Sequence, residues 1–241
     1  MILERFLSAR DADRASRKFR KLARHDIARL ALTGGVAVEI HALRLGCGAG
    51  IRCLNDLDFM AGSFACIPDT LSDDFLFRHI HPSDPPGRTM LQAIDPDTAL
   101  RIDVFRACAA TMRRTSLLDL PGAPVQLISL EDLLARTARL ALDLAEGAFV
   151  PAKHAIDFMR LAELVDPSKV ESIWQDHRRP RHPASFAETV GRLNNLIPAC
   201  KNLLITPDYS KDATEICGRC AQTSAFRLAD PNVVLSLLGY C

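Results

Sequence analysis

Apolar and polar residues alternate along this chain in segments of changing period. Residues 3–28 repeat apolar positions at helical spacing, with Arg10, Arg14, Arg17, Lys18, Arg20, Lys21 and Arg24 set against Asp11, Asp13 and Asp26, which predicts a basic amphipathic helix. Ile27 to Leu32 is a short apolar run closed by Thr33-Gly34-Gly35, the pattern of a buried strand and a tight turn. Val36 to Leu45 suits a helix, because Val36, Ile40 and Leu43 share a face, and 46–50 (GCGAG) is a flexible loop. Leu54 to Met60 predicts a second strand with Leu57 and Phe59 on one face and Asp56 and Asp58 on the other. A short helix is expected over Pro68 to His79. Strands over Arg88 to Ile94 and Ala99 to Phe105 are expected to be joined by the turn Asp95-Pro96-Asp97-Thr98, with another strand at Val125 to Ile128.

From Ser129 the period is helical. Ser129-Leu130-Glu131-Asp132 has the form of a capping box that opens a helix to about Glu146, with Gly147 as its stop. Pro151 begins a further helix, ended by Asp166-Pro167, and residues 168–200 continue helical with a break at 179–183. The expected fold class is therefore α+β: a small mixed β-sheet with flanking helices, followed by a helical C-terminal part. The expected division is an α/β domain over 1–128 and a helical domain over 129–241.

This order places chemistry in one region. Thr33, Gly34 and Gly35 are the candidate phosphate-binding turn, since glycine lets backbone N–H groups approach phosphate oxygens and the following helix N-terminus favours negative charge. Asp56 and Asp58 leave one strand face together, and Asp103 stands alone between Ile102 and Val104. Three converging carboxylates repel one another unless a cation joins them, and Mg²⁺ or Mn²⁺ held by such a set serves phosphoryl and nucleotidyl transfer. Asp103 would also help to deprotonate an acceptor hydroxyl, and Arg52 would neutralise phosphate charge. The plainer alternative is three exposed carboxylates at strand ends. Lys153 and Asp157 are one helical turn apart, so they either face the same cleft or form an ion pair on a helix surface.

The ordered set resembles the nucleotidyltransferase superfamily of DNA polymerase β, nearest its AbiEii-like toxin and antibiotic-modifying branches. The carrying motifs are Gly34-Gly35-Val36-Ala37, Arg52 four residues before Asp56-Leu57-Asp58, and Ile102-Asp103-Val104. The stretch from Pro124-Val125 to Glu131-Asp132-Leu133 and the pair Lys153 and Asp157 complete it. Leu54 and Arg136-Thr137 stand where the family often has Ser or Thr and Lys. The resemblance implies an enzyme of nucleotidyl transfer with catalytic Asp56, Asp58 and Asp103, and nucleotide contacts at Thr33, Gly34, Gly35, Arg52, Lys153 and Asp157. It further implies an NTP such as ATP, an acceptor that is RNA, protein or a small molecule, and, for the toxin type, an antitoxin partner.

Composition adds limits. At 241 residues, 48% hydrophobic and 24% charged, the chain can bury a substantial core, and a net charge of +1 does not mark the whole molecule as a polyanion binder. No apolar run reaches the ~20 residues of a membrane span, and the first residues lack the form of a secretory signal, so a cytoplasmic location is expected. The eight cysteines are then thiols or metal ligands. Cys217 and Cys220 form a Cys-x-x-Cys pair, half of a structural Zn²⁺ site, weighed against unpaired thiols. The competing function is a chain that keeps this fold without catalysis and binds RNA or a protein partner, with a zinc knuckle.

Overall fold

The computed structural model describes residues 2–50, 52, 54, 56–79, 90–98, 100–120, 123–146, 150 and 152–199. The Cys217 and Cys220 pair lies outside the described residues. The architecture is α+β, built on one seven-stranded mixed sheet. In chain order its strands are β1 (Leu30–Thr33), β2 (Asp56–Ala61), β3 (Leu76–His79), β4 (Met90–Ile94), β5 (Arg101–Arg106), β6 (Ser116–Leu120) and β7 (Ala123–Leu127). Across the sheet they run β3-β4-β5-β2-β1-β7-β6. The β2–β5 and β1–β7 pairs are parallel, and the remaining pairs are antiparallel.

The predicted helix over 3–28 is divided. Leu3–Arg5 form a 3-10 turn, and Ser8 then caps α1 (Ala9–Leu22), its Oγ accepting from the Asp11 N–H at 3.1 Å. Phe19 of α1 meets Phe59 of β2 edge-on with centroids 6.4 Å apart. The helix therefore covers the sheet face opposite Asp56 and Asp58. The basic side of α1 is partly structural. Lys18 is fully buried and donates to the Leu100 carbonyl, Lys21 Nζ lies 2.9 Å from Asp95 and 2.7 Å from Asp97, and Arg14 donates to the Thr98 carbonyl at 3.1 Å. These cations hold the β4–β5 turn, while Arg10, Arg17, Arg20 and Arg24 are exposed.

The helix α2 (Gly34–Arg44) follows β1 directly and packs on β1 and β2. The helix expected over Pro68 to His79 is instead one short turn, α3 (Leu71–Asp74), after which Phe75 is extended (φ −129°, ψ 145°) and the chain becomes edge strand β3. A second short helix, α4 (Ala109–Arg113), and the strand β6 were not predicted; β6 pairs with β7 as a hairpin. Beyond β7 lie α5 (Leu130–Glu146), α6 (Ala152–Leu164), α7 (Glu171–His177) and α8 (Phe186–Ala199). The Ser129 half of the expected capping box is present, with Asp132 N–H donating to Ser129 Oγ at 3.0 Å, and the Asp132 carboxylate accepts from the Ser129 hydroxyl at 2.6 Å rather than from its backbone N–H. Helix α5 packs on α6, α7 and α8, and both α5 and α6 touch α2, so the helical part packs against α2. Among the described residues, no helix is long and apolar enough to cross a membrane.

Candidate functional site

Strand pairing brings the three aspartates together. β2 and β5 are parallel neighbours in the register Asp56↔Arg101 and Asp58↔Asp103, and Thr33 at the end of β1 faces Asp58 from the other side. Residues two apart on a strand share a face, so Asp56, Asp58, Arg101 and Asp103 form a four-cornered group on one side of the sheet. Asp56, Asp58 and Asp103 each present a carboxylate oxygen within 4.8 Å of the others. Such a set of hard oxygen donors fits Mg²⁺ or Mn²⁺ better than a softer metal. Burial, and then the neighbouring Asp56, push the Asp58 carboxyl up to about 7, with Lys153 and Arg136 opposing. Asp103 is also raised, first by burial, although Arg101 and Gln92 act against it.

The glycine pair abuts this group. Gly34 opens α2 with φ +67°, and a Cβ there would lie 1.9 Å from Asp58 Oδ2 and 2.8 Å from Asp58 Cβ. At Gly35 a Cβ would lie 2.6 Å from Arg52 Nη1, the far end of a flexible side chain. Gly34→Ala should therefore lower stability by about 2–4 kcal/mol, from left-handed backbone strain plus displacement of Asp58. Gly35→Ala should cost less, about 1 kcal/mol, since only the Nη1 end of Arg52 has to give and the backbone is not strained. Urea unfolding of both variants checks this, and equal losses would contradict the assigned roles. Thr33 ends β1 with its Oγ1 buried and without a hydrogen-bond partner, at the mouth of the same turn.

Arg52 does not stand as a free phosphate ligand. Its Nε donates to Glu39 Oε1 at 2.6 Å, and its Nη2 pairs with Asp157. Arg160 Nη1 also reaches Glu39 Oε1 at 3.0 Å, and the Gly50 N–H donates to Glu39 Oε2 at 3.1 Å. Fully buried Glu39 thus ties α2, the 46–50 loop and α6 together. Asp157 faces Arg52, and Lys153, from the same helix, lines the open cleft with Gly35, Val36, Arg52, Asp56 and Asp58. Of the candidate residues, Gly35, Arg52, Asp56, Asp58 and Lys153 line this cleft, while Thr33 and Asp103 flank Asp58 in register, Gly34 abuts its carboxylate and Asp157 pairs with Arg52.

Three participants escaped the sequence analysis. Arg101 Nη2 lies 2.5 Å from Asp56 Oδ2 and its Nε 3.2 Å from Asp103 Oδ2. Gln92 of β4, opposite Asp103 in register, donates to Asp103 Oδ1 at 2.8 Å from a buried position. The third is Glu39. The Arg101-x-Asp103 spacing on a strand was a readable signal for the first; Gln92 and Glu39 gave none without the sheet order.

Solved nucleotidyltransferases resemble this fold. An antigenic nucleotidyltransferase-like protein from Paracoccidioides brasiliensis is 16% identical with a TM-score of 0.41, covering 81% of this chain and 95% of its own. The antibiotic-resistance factor ANT(2'')-Ia is 17% identical with a TM-score of 0.40, covering 77% and 92%. The lincosamide adenylyltransferase LnuA is 12% identical with a TM-score of 0.38, covering 66% and 99%. No protein-family model and no curated protein matches the chain.

Proposed function

We propose that this protein transfers a nucleoside monophosphate from an NTP to a hydroxyl acceptor. One observation carries the proposal: three carboxylates within 4.8 Å of one another stand directly against a left-handed glycine that opens a helix. Asp56, Asp58 and Asp103 would hold the divalent cation, which when bound neutralises phosphate charge and polarises the reacting phosphorus. The backbone at Gly34-Gly35 and the N-terminus of α2 bind the phosphates. The unpartnered Thr33 hydroxyl can donate to one of their oxygens. Lys153 and Arg136 bring positive charge to the same side, and the Glu39–Arg52–Asp157 chain keeps α6 and α2 at a fixed distance. Asp103, whose affinity for protons is raised, accepts the hydroxyl proton as the acceptor oxygen attacks the α-phosphorus and pyrophosphate leaves.

The acceptor classes to be tried are small molecules, RNA and protein, and ATP is the first donor to test. Full-length protein with Mg²⁺ and α-labelled NTPs should label one acceptor among aminoglycosides, lincosamides, total RNA and a protein extract. EDTA should abolish the labelling. No NTP binding in the presence of Mg²⁺ by the folded protein would refute the proposal. A toxin-type role would add growth arrest on expression, relieved by a partner.

A further inference from the structure

Arg101 occupies the position that a cation would take among the aspartates. It starts β5 and shares a strand face with Asp103, and the parallel register sets it opposite Asp56. Its guanidinium spans the two strands, 2.5 Å from Asp56 Oδ2 at one end and 3.2 Å from Asp103 Oδ2 at the other. The fit is incomplete: Arg101 Nε is buried without a properly aligned hydrogen bond. Gln92 holds the other oxygen of Asp103, so that carboxylate cannot easily rotate away from the guanidinium. The Arg101 side chain is nevertheless 28% exposed, at the edge of the group rather than sealed beneath it.

We propose that Arg101 is the resident counter-ion of the three aspartates and is drawn off by an incoming polyphosphate, so that divalent cation and nucleotide load together. This rests on the nucleotidyl-transfer proposal and adds its control. A divalent ion and a guanidinium on the same two carboxylates repel each other strongly in a half-buried site. The ion therefore binds well only when Arg101 leaves. A displaced Arg101 loses its ion pairs unless another anion receives it, and phosphates seated on the Gly34-Gly35 turn supply that anion beside the cleft. Each ligand then tightens the other by the same factor, as linkage requires.

The test is Mn²⁺ binding to the full-length protein without nucleotide, followed calorimetrically. Arg101→Gln should bind Mn²⁺ at least ~10-fold tighter than the parent, and Arg101→Lys, which keeps the charge, should stay within about threefold of it. Arg101→Met preserves the packing of the stem and makes the same comparison if Arg101→Gln does not fold. Mn²⁺ should also raise the Tm of the neutral variants more than that of the parent. Saturating α,β-methylene-ATP should shrink the affinity gap to under about threefold. Equal Mn²⁺ affinity in parent and neutral variants would overturn the role of Arg101 while leaving nucleotidyl transfer intact. No Mn²⁺ binding by any of them would overturn both.

Discussion

Asp58→Asn is expected to abolish nucleotidyl transfer and, in the absence of divalent cation, to make the protein more stable at pH 8. Both effects come from the same carboxylate. Asp58 sits at the centre of the group, paired in register with Thr33 on one side and Asp103 on the other. Losing a central ligand should remove several kcal/mol of transition-state stabilisation, a rate loss of about 10³-fold or more. The stability gain follows from linkage. The folded-state pKa of Asp58 is raised to about 7 from an ordinary value of 3.8, because burial and Asp56 both disfavour its charge. The native state then holds this proton more tightly than the unfolded chain. Stability from this group is complete below about pH 4 and is lost as pH rises through about 7. Asparagine is neutral throughout, so the variant should gain about 1–2 kcal/mol at pH 8, a Tm rise of roughly 2–8 °C, and almost nothing at pH 4. The full linkage value is discounted because Asp58 keeps some contact with solvent, which screens its charge. Melting curves in EDTA at the two pH values, with a transfer assay in Mg²⁺, check both halves. Transfer within tenfold of the parent would remove Asp58 from the metal site.

The Asp56-x-Asp58 pair was legible because a strand has period two and the intervening Leu57 and Phe59 needed the core. Asp103 was legible as an isolated carboxylate in an apolar strand. The register that sets it opposite Asp58 was not, since nothing local says that β5 lies beside β2 rather than beside β1; only the sheet order does. Arg52 shows the same limit in reverse. Its spacing from Asp56 suggested a phosphate ligand, but Glu39 and Asp157, 13 and 105 residues away in sequence, claim its guanidinium. Residues 75–79 read as helix because Leu71 to Asp74 does start one; the edge strand that follows is specified by pairing with β4, a long-range contact. The basic run of α1 read as the polar side of an amphipathic helix, and burial of Lys18 against the β4–β5 turn was invisible because its partners lie some 80 residues on.

Asp132→Ala should be the most destabilising single substitution in the helical part, at about 3–5 kcal/mol, because it strands several buried partners at once. Asp132 is fully buried at the start of α5. Its carboxylate accepts from Arg114 Nε and Nη2, each at 2.7 Å, from Ser129 Oγ at 2.6 Å and from Thr111 Oγ1 at 2.9 Å, and it pairs with His177 Nε2 at 2.8 Å. These contacts join α4, α5 and α7, and Arg114 also reaches Asp176 of α7 at 2.8 Å. Burial alone would raise the pKa of Asp132, but the bonds from Arg114, His177 and Ser129 outweigh it and hold the carboxyl well below its usual range. A depressed pKa stabilises the fold above the unfolded value of about 3.8, and that stabilisation is lost as pH falls toward the folded value. The gap between parent and Asp132→Ala should therefore be widest near neutral pH and should narrow below about pH 4. Asp132→Asn, which keeps the shape and some of the hydrogen bonds, should lose about 2–3 kcal/mol. Urea unfolding between pH 3 and pH 7 measures all three proteins with one probe. A loss under about 1 kcal/mol at pH 7 for Asp132→Ala would show that the buried network contributes little beyond its desolvation cost, as some buried ion pairs do.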